Sequence, residues 1–291
     1  MTDIRPRRSI LYMPGSNARA LEKAREIAAD ALILDLEDAV APEAKEAARA
    51  QVCAAVKGGG YGRRELVIRV NAPETPWFEA DLAAAAEAAP DAILLPKVSS
   101  PETLVDVGQR LTGLWAAERT RIWAMIETPL AILDCERIAR AARDPATRLD
   151  CLVLGTNDLA KETRARFVPG RAPMLSWLTT ALLAGRAHGV DVIDGVYNAL
   201  KDEAGLRAEC EQARDLGFDG KTLIHPGQVA TANAVFAPDE EELTRARAIV
   251  AAFALPENAG KGAIQLDGRM VELLHAEMAR RTIAIAEAIA G

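Results

Sequence analysis

Acidic side chains follow several short apolar runs of the sequence, at the points where those runs end. Glu37 and Asp38 close ALILDLED, Glu127 closes IWAMIE, and Asp158 ends LVLGTND. Four carboxylates brought together would raise each other's pKa unless a positive charge lay among them. Mg²⁺ takes one or two carboxylates and leaves its other positions to water and substrate. We therefore expect a Mg²⁺ site with Glu127 and Asp158 as ligands, and with Glu37 and Asp38 either holding metal-bound water or orienting nearby side chains. Any one of these carboxylates could instead cap a helix or pair with an arginine.

Two basic residues occupy similar positions. Arg69 lies within VIRVN, where an unpaired guanidinium would be costly to bury. It is therefore either half of a structural ion pair or a two-pronged clamp for a substrate carboxylate. Lys97 ends LLPK and could form a Schiff base, as in some aldolases, but adjacent metal-binding carboxylates argue against that role.

The elements that must position these residues are short apolar runs alternating with amphipathic ones. Because most of the runs are continuously apolar, they indicate strands covered on both faces, hence a parallel sheet with helical crossovers. Eight such strands in about 225 residues favour a TIM (β/α)8 barrel over an open sheet, whose first turn would be expected to show G-x-G-x-x-G. In such barrels the active site lies where the strands end. The predicted strands are residues 9–13, 31–36, 66–70, 92–95, 122–126, 151–154, 190–193 and 217–224.

The pattern changes after residue 237. Residues 239–255 and 270–290 are each predicted to form a helix, with a turn-like link at 258–262. The eight strand–helix units of a barrel are complete before these residues begin. We therefore expect a barrel over residues 1–237 and a C-terminal helical extension over 238–291, acting as a lid or an oligomer contact.

Composition excludes several classes of function. The 291 residues carry 35 Lys and Arg against 42 Asp and Glu, a net charge of −7, which disfavours nucleic acid and anionic membranes as partners. No run is long enough to span a membrane, and the N-terminal segment lacks the apolar core of a signal peptide, so we expect a cytoplasmic protein. Three histidines and four scattered cysteines make zinc sites and Ser-His-Asp hydrolysis weak candidates.

The order of the motifs resembles a known family. RRSILYMPGSN, ADALILDLEDAV, VIRVN, LLPKV, IET, LVLGTNDLA and GKTLIHPGQV together resemble the citrate lyase β-subunit-like (CitE-like) group of the HpcH/HpaI aldolase superfamily, which includes malyl-CoA and citramalyl-CoA lyases. The likeness runs over nearly the whole chain. It implies a Mg²⁺-dependent TIM barrel that forms a trimer or hexamer and that cleaves or makes a C–C bond of a 3-hydroxyacyl-CoA.

The resemblance also implies roles for single residues. It makes Glu127 and Asp158 the metal ligands and Arg69 the residue that binds the substrate carboxylate; Lys97 and Arg8 are also expected to contact substrate. In lyases of this group a C-terminal carboxylate reaches into the neighbouring subunit's site. Here the corresponding segment ends Met-Val-Glu where Met-Ile-Asp is expected. The acid/base group is therefore either Glu272 or Asp267, or the chemistry has changed.

Three functions remain open. The first is a Mg²⁺-dependent carbon–carbon lyase that splits malyl-CoA, citramalyl-CoA or citryl-CoA into acetyl-CoA and an oxoacid. The second, suggested by the altered Met-Val-Glu segment, is an acyl-CoA thioester hydrolase or an aldolase acting on free keto acids. The third is the β subunit of a multi-chain citrate lyase, which would need partner chains because this sequence has no acyl-carrier region.

Overall fold

Eight parallel strands close into a barrel in a computed structural model that describes residues 4–291. Each strand pairs with the next in sequence, and β8 pairs with β1 to complete the ring. The TIM-barrel prediction is therefore confirmed, and all eight predicted strands are present within about three residues of their predicted limits. The strands are β1 Ser9–Pro14, β2 Ala31–Asp35, β3 Glu65–Arg69, β4 Ala92–Leu95, β5 Arg121–Ile126, β6 Leu149–Leu154, β7 Asp191–Asp194 and β8 Gly220–Leu223.

Helices follow the strands, as parallel pairing requires. The helices are α1 Ala18–Lys23, α2 Lys45–Gly58, α3 Phe78–Ala88, α4 Pro101–Gly113, α5 Pro129–Leu133, α6 Cys135–Arg140, α7 Thr156–Thr163, α8 Leu175–His188, α9 Glu203–Leu216, α10 Val229–Phe236, α11 Glu240–Ala254 and α12 Leu273–Ala290.

The barrel interior is filled by alternate residues of the strands. One packed cluster takes side chains from seven of the eight strands, and nearly all of them are fully buried. Since successive strand residues point to opposite faces, the residue two positions after a cluster member also points inward. The cluster members are Ile10, Ala31, Ile33, Val67, Ala92, Leu94, Trp123, Met125, Cys151, Val153 and Ile193.

The chain divides into two compact units, residues 7–233 and, within the described part, residues 4–6 with 234–291. The second unit contains an antiparallel hairpin, β9 Ala263–Leu266 and β10 Arg269–Glu272, and the helices α11 and α12, which share an apolar cluster. The predicted helix over residues 270–290 is present, but it begins at Leu273, because the residues just before it form β10. Asp267 and Gly268 both have positive φ, so the Asp-Gly pair forms the hairpin turn.

No helix within residues 4–291 has both the length and the apolar character that crossing a bilayer requires.

Candidate active site

The inward-facing layer at the carboxyl end of the barrel is polar. Tyr12, Asp35, Arg69, Glu127 and Gly155 each stand two positions after a member of the interior cluster. The alternation that places apolar side chains inside the barrel therefore also places these five residues in one inward-facing layer at its carboxyl end.

A cavity of about 310 Å³ opens at this end of the barrel. Five charged side chains line it: Asp38, Arg69, Glu127 and Asp158, which the sequence analysis named, and Asp35. The rest of the wall is formed mainly by apolar and uncharged groups, so polar groups converge on one part of an otherwise apolar pocket, as is typical of small-molecule sites. The remaining lining residues are Tyr12, Ala39, Met125, Leu154, Gly155, Thr156, Asn157, Val196, Thr222 and Ile224.

Arg69 is buried and makes ion pairs with carboxylates of the preceding strand. Its Nε and Nη2 donate to the two oxygens of Asp35 at 2.6 Å each, in a two-pronged arrangement. Its Nη1 lies 2.6 Å from Glu37 Oε2 and 3.5 Å from Asp38 Oδ2. The structural ion pair considered from the sequence is therefore present. Only the Nη1 edge could turn to a substrate carboxylate, since Asp35 occupies the other edge.

Asp35, like Tyr12, is a site residue that the sequence analysis did not single out. Asp35 and Arg69 are register partners on β2 and β3, so their side chains point inward side by side. The sequence signal for Asp35 was the alternation Ala31, Ile33, Asp35. Ala31 and Ile33 point into the barrel, so the next inward-pointing residue of the strand, Asp35, lies at its carboxyl end.

Lys45 holds the segment that carries Glu37. Its ammonium donates to the carbonyl oxygens of Leu36 at 2.8 Å and of Glu37 at 2.7 Å, and to Asn71 Oδ1 at 2.7 Å. All three ammonium protons are thereby used. The backbone after β2 is tied to the residue that follows β3, which limits how far Glu37 can move.

Glu127 is a buried carboxyl group with raised basicity. Burial raises its pKa to about 8, and the negative charges of Glu37 and Asp158 act in the same direction. Its Oε1 accepts a hydrogen bond of 2.7 Å from the backbone N–H of Lys97, whose φ is +54°. A bound cation would stabilise the ionised form of this group.

Glu37 has an unsatisfied oxygen. Burial raises its pKa to about 7 in spite of the opposing charge of Arg69. Although Oε2 lies 2.6 Å from Arg69 Nη1, it accepts no well-aligned hydrogen bond from any residue of the described chain. Glu37 is not among the residues lining the cavity, but its charge acts on Glu127.

These observations fit a hard divalent cation. Two carboxylates from neighbouring strands, Glu127 and Asp158, line one cavity, and the pKa of Glu127 is raised by burial with too little positive charge nearby. Within residues 4–291 no group of three or more His, Cys, Asp and Glu side chains is arranged as a metal site. A two-carboxylate set completed by water and substrate is the form in which Mg²⁺ is usually bound.

Tyr12 faces the same cavity from β1. Its ring lies against the guanidinium of Arg69, with 5.0 Å between the ring centroid and Cζ. Burial raises the pKa of its hydroxyl, so the phenol stays neutral beside the carboxylates.

Arg8 is not among the residues lining this cavity, and its predicted contact with substrate stays a prediction. It precedes β1, and its side chain forms a two-pronged ion pair with Asp30, which precedes β2, at 2.8 Å for each bond. Both residues stand at the amino ends of the strands, opposite the end where TIM-barrel sites lie. Lys97 is exposed and contributes its backbone N–H to Glu127, and its charge lowers the pKa of Glu37.

Glu272 and Asp267 belong to the second unit. Glu272 is the N-cap of α12, in a reciprocal capping arrangement in which its N–H donates to His275 Nδ1 at 3.0 Å. Asp267 stands in the turn between β9 and β10 with a φ of +49°. That one of them acts as the acid/base group in the site of a neighbouring copy stays a prediction.

Gly155→Ala is expected to weaken Mg²⁺ binding at least tenfold. A Cβ at Gly155 would lie 2.4 Å from Glu127 Cβ and 2.7 Å from its Oε2, so the carboxylate would have to move. Titration calorimetry would measure the loss of Mg²⁺ affinity. Disturbing the groups that position a metal ligand typically lowers affinity about 10–100-fold. Gly113→Ala is the matched control, since a Cβ there meets nothing within 4 Å. Unchanged Mg²⁺ affinity in Gly155→Ala would contradict the assignment of Glu127.

Sequence comparison assigns most of this barrel to a known family. Residues 8–226 match the family HpcH/HpaI aldolase/citrate lyase. A (3S)-malyl-CoA thioesterase of Cereibacter sphaeroides is 51% identical over 285 residues, which cover 98% of this chain and 96% of that protein. The citrate lyase subunit beta of Escherichia coli K12 is 33% identical over 97% of this chain and 94% of its own length.

Structural comparison agrees. The structure of CitE from Mycobacterium tuberculosis in complex with magnesium, acetoacetate and coenzyme A superposes with a TM-score of 0.75 and 30% identity, covering 94% of this chain and 97% of that one. A closed barrel with paired strand-end carboxylates and a family match across 8–226 thus lead to one conclusion: this chain belongs to the HpcH/HpaI aldolase/citrate lyase family.

Proposed function

We propose that this protein is a Mg²⁺-dependent enzyme that hydrolyses the thioester of a 3-hydroxyacyl-CoA bearing a second carboxylate, such as (3S)-malyl-CoA. The observation that carries the proposal is the cavity in which Glu127 and Asp158 lie with the buried cation Arg69. The choice of hydrolysis rests on the 51% identity to (3S)-malyl-CoA thioesterases over 98% of this chain, well above its identity to citrate lyase β subunits.

Each charged group then has a task. Glu127 and Asp158 hold Mg²⁺, which supplies Lewis-acid polarisation and a template for substrate oxygens. Arg69 meets the free carboxylate of the substrate through Nη1, while Asp35 holds its other edge. Asp38, which is exposed at the rim, and Glu37 orient water near the metal. The acid/base group proposed for this chemistry is Glu272 or Asp267 of a neighbouring copy in a homo-oligomer.

Carbon–carbon cleavage of the same substrate is the second candidate. The family match and the 33% identity to citrate lyase β subunits favour it. In this reaction a base takes the proton of the 3-hydroxyl group, the C2–C3 bond breaks, and the products are acetyl-CoA and an oxoacid.

Product analysis separates the two reactions. The purified protein would be incubated with malyl-CoA, citramalyl-CoA and citryl-CoA, with and without Mg²⁺, and the products identified by mass spectrometry. Free CoA and a hydroxy acid mean hydrolysis, whereas acetyl-CoA and an oxoacid mean cleavage. No turnover without added partner chains would instead favour the citrate lyase subunit.

The apparent affinity for Mg²⁺ is expected to rise with pH and to level off above about pH 8. The pKa of Glu127 is about 8, so at lower pH a proton must leave before this carboxylate can bind a cation. One competing proton weakens apparent affinity by up to about tenfold per pH unit. Calorimetry at about pH 6.5, 7.5 and 8.5 would measure the trend.

Glu37→Gln provides the matched comparison. The negative charge of Glu37 raises the pKa of Glu127, so removing that charge should move the rise in Mg²⁺ affinity to lower pH. A flat pH profile in the unsubstituted protein would contradict Glu127 as a ligand.

A further inference from the structure

The hydroxyl of Tyr12 is held in the cavity without a partner in the described part of the chain. The sequence has three tyrosines. Tyr61 donates to the carbonyl oxygen of Leu21 at 3.1 Å, and Tyr197 donates to Asp202 Oδ2 at 2.6 Å. Tyr12 Oη makes no hydrogen bond within residues 4–291, although its side chain lines the cavity. Because a phenol in such a setting ordinarily finds a partner, this O–H is available to a bound molecule.

The ring that carries this hydroxyl is held by two contacts. It packs against the apolar cluster inside the barrel, and the Cζ of Arg69 lies 5.0 Å from its centroid. Arg69 is itself held by the two bonds to Asp35, each of 2.6 Å. The hydroxyl is therefore preorganised, which is what a donor needs in order to stabilise a transition state.

The hydroxyl of Tyr12 is suited to donate a hydrogen bond to a substrate oxygen that gains negative charge during the reaction. Asp35, Glu37 and Glu127 are acceptors or metal ligands, and the fork of Arg69 is engaged with Asp35. The phenol is neutral at physiological pH and can donate without adding a charge. It lines the same cavity as the carboxylates of Asp35 and Glu127.

We propose that Tyr12 is a catalytic residue whose hydroxyl donates a hydrogen bond to the thioester carbonyl oxygen of the bound acyl-CoA. The inference rests on the proposed class of substrate but not on which bond breaks. In hydrolysis, water gives a proton to the acid/base group and adds to the carbonyl carbon, and the C=O electron pair moves onto this oxygen. The pair then returns, the C–S bond breaks, and CoA leaves as a thiolate that takes up the proton from the acid/base group. In C–C cleavage, the electrons of the broken bond form an enolate whose charge lies on the same oxygen until carbon is protonated.

Tyr12→Phe tests this with the smallest change. It removes the hydroxyl and keeps the ring against Arg69, and it breaks no hydrogen bond inside the protein. We expect kcat to fall about 100-fold, the loss usual for one oxyanion donor, with KM within about threefold and an unchanged melting temperature. Tyr61→Phe is the matched control, since Tyr61 also carries an arginine, Arg25, over its ring at 5.3 Å. It should keep kcat while losing some thermal stability.

A binding experiment makes the inference independent of turnover. Two CoA analogues are compared by calorimetry, a ketone with CH₂ in place of sulfur and a thioether with CH₂ in place of the carbonyl. Tyr12→Phe should bind the ketone about tenfold more weakly than the unsubstituted protein does, and the thioether equally well.

Each outcome has a definite meaning. If Tyr12→Phe retains both kcat and affinity for the ketone, the role of Tyr12 is overturned while the proposed function stands. If the unsubstituted protein turns over no acyl-CoA but binds the ketone through Tyr12, the proposed function fails and the role of Tyr12 is supported. Absence of binding to either analogue overturns both.

Discussion

Glu127→Gln is expected to lower Mg²⁺-dependent turnover by about 1,000-fold or more. The substitution keeps the shape of the side chain and its hydrogen bond from the N–H of Lys97, but it removes the negative charge that a divalent cation needs. A metal ion in such a site contributes several kcal/mol to the stabilisation of the transition state, and each 1.36 kcal/mol corresponds to about tenfold in rate. Steady-state assays with saturating Mg²⁺, together with calorimetry of Mg²⁺ binding, would measure the effect.

Stability should change in the opposite direction to activity. Burial raises the pKa of Glu127, which means that its charged form is unfavourable in the metal-free cavity. A neutral amide removes that penalty, so we expect metal-free Glu127→Gln to unfold at an equal or higher urea concentration than the unsubstituted protein. Glu118→Gln, at an exposed position, is the control for the same chemical change. Full Mg²⁺-dependent activity in Glu127→Gln would remove this residue from the site.

Arg69→Met is expected to destabilise the barrel by about 3–5 kcal/mol, in addition to abolishing turnover. The substitution leaves the carboxylates of Asp35 and Glu37 buried without the guanidinium that pairs with both. Removal of one partner from a buried ion pair typically has this effect, because an uncompensated charge remains. Urea unfolding curves would measure the change in the free energy of unfolding.

Two comparisons separate charge from packing. Asp35→Asn combined with Arg69→Met should recover part of the lost stability, because the uncompensated charge next to the missing guanidinium is removed as well. Arg110→Met removes an arginine that also pairs with two carboxylates, Glu79 and Asp106, but on the surface, so its effect should stay below about 1 kcal/mol. Equal effects of Arg69→Met and Arg110→Met would contradict a central electrostatic role for Arg69.

The pairing of Asp35 with Arg69 has a consequence for substrate binding. One of the two roles predicted for Arg69 was a two-pronged clamp for a substrate carboxylate, but its Nε and Nη2 already donate to Asp35. A substrate carboxylate would therefore compete with Glu37 for Nη1, which lies 2.6 Å from Glu37 Oε2. Binding of a substrate carboxylate to Nη1 would therefore release Glu37 from its ion pair with Arg69.

Much of the barrel could be predicted because its determinants are local. Continuous apolar runs such as residues 10–13 and 31–34 indicate strands covered on both faces, and the number and spacing of the runs predict eight parallel strands. The hairpin of the second unit was missed although Asp267-Gly268 is a local turn signal, because the amphipathic run after it was taken to begin the last helix too early.

The site was predictable only in part, because position along a strand does not specify a partner. That Arg8 and Arg69 differ in role follows from which end of a strand each occupies, and only the closed barrel brings Arg69 to the cavity and pairs Arg8 with Asp30 at the other end. Arg69 pairs with Asp35 as well as with Glu37 because the register of β2 against β3 places Asp35 directly beside it.

By itself, the sequence determined the fold class, the strand ends at which chemistry can occur, and an excess of carboxylates that calls for a cation. These properties depend on hydrophobic periodicity and residue type, which are local. The tertiary structure decided which carboxylate holds Arg69, how burial raises the pKa of Glu127 to about 8, and that the Tyr12 hydroxyl faces the cavity without a partner in residues 4–291. Those properties depend on distances across the barrel and on exclusion from water, which arise only when the eight strands close.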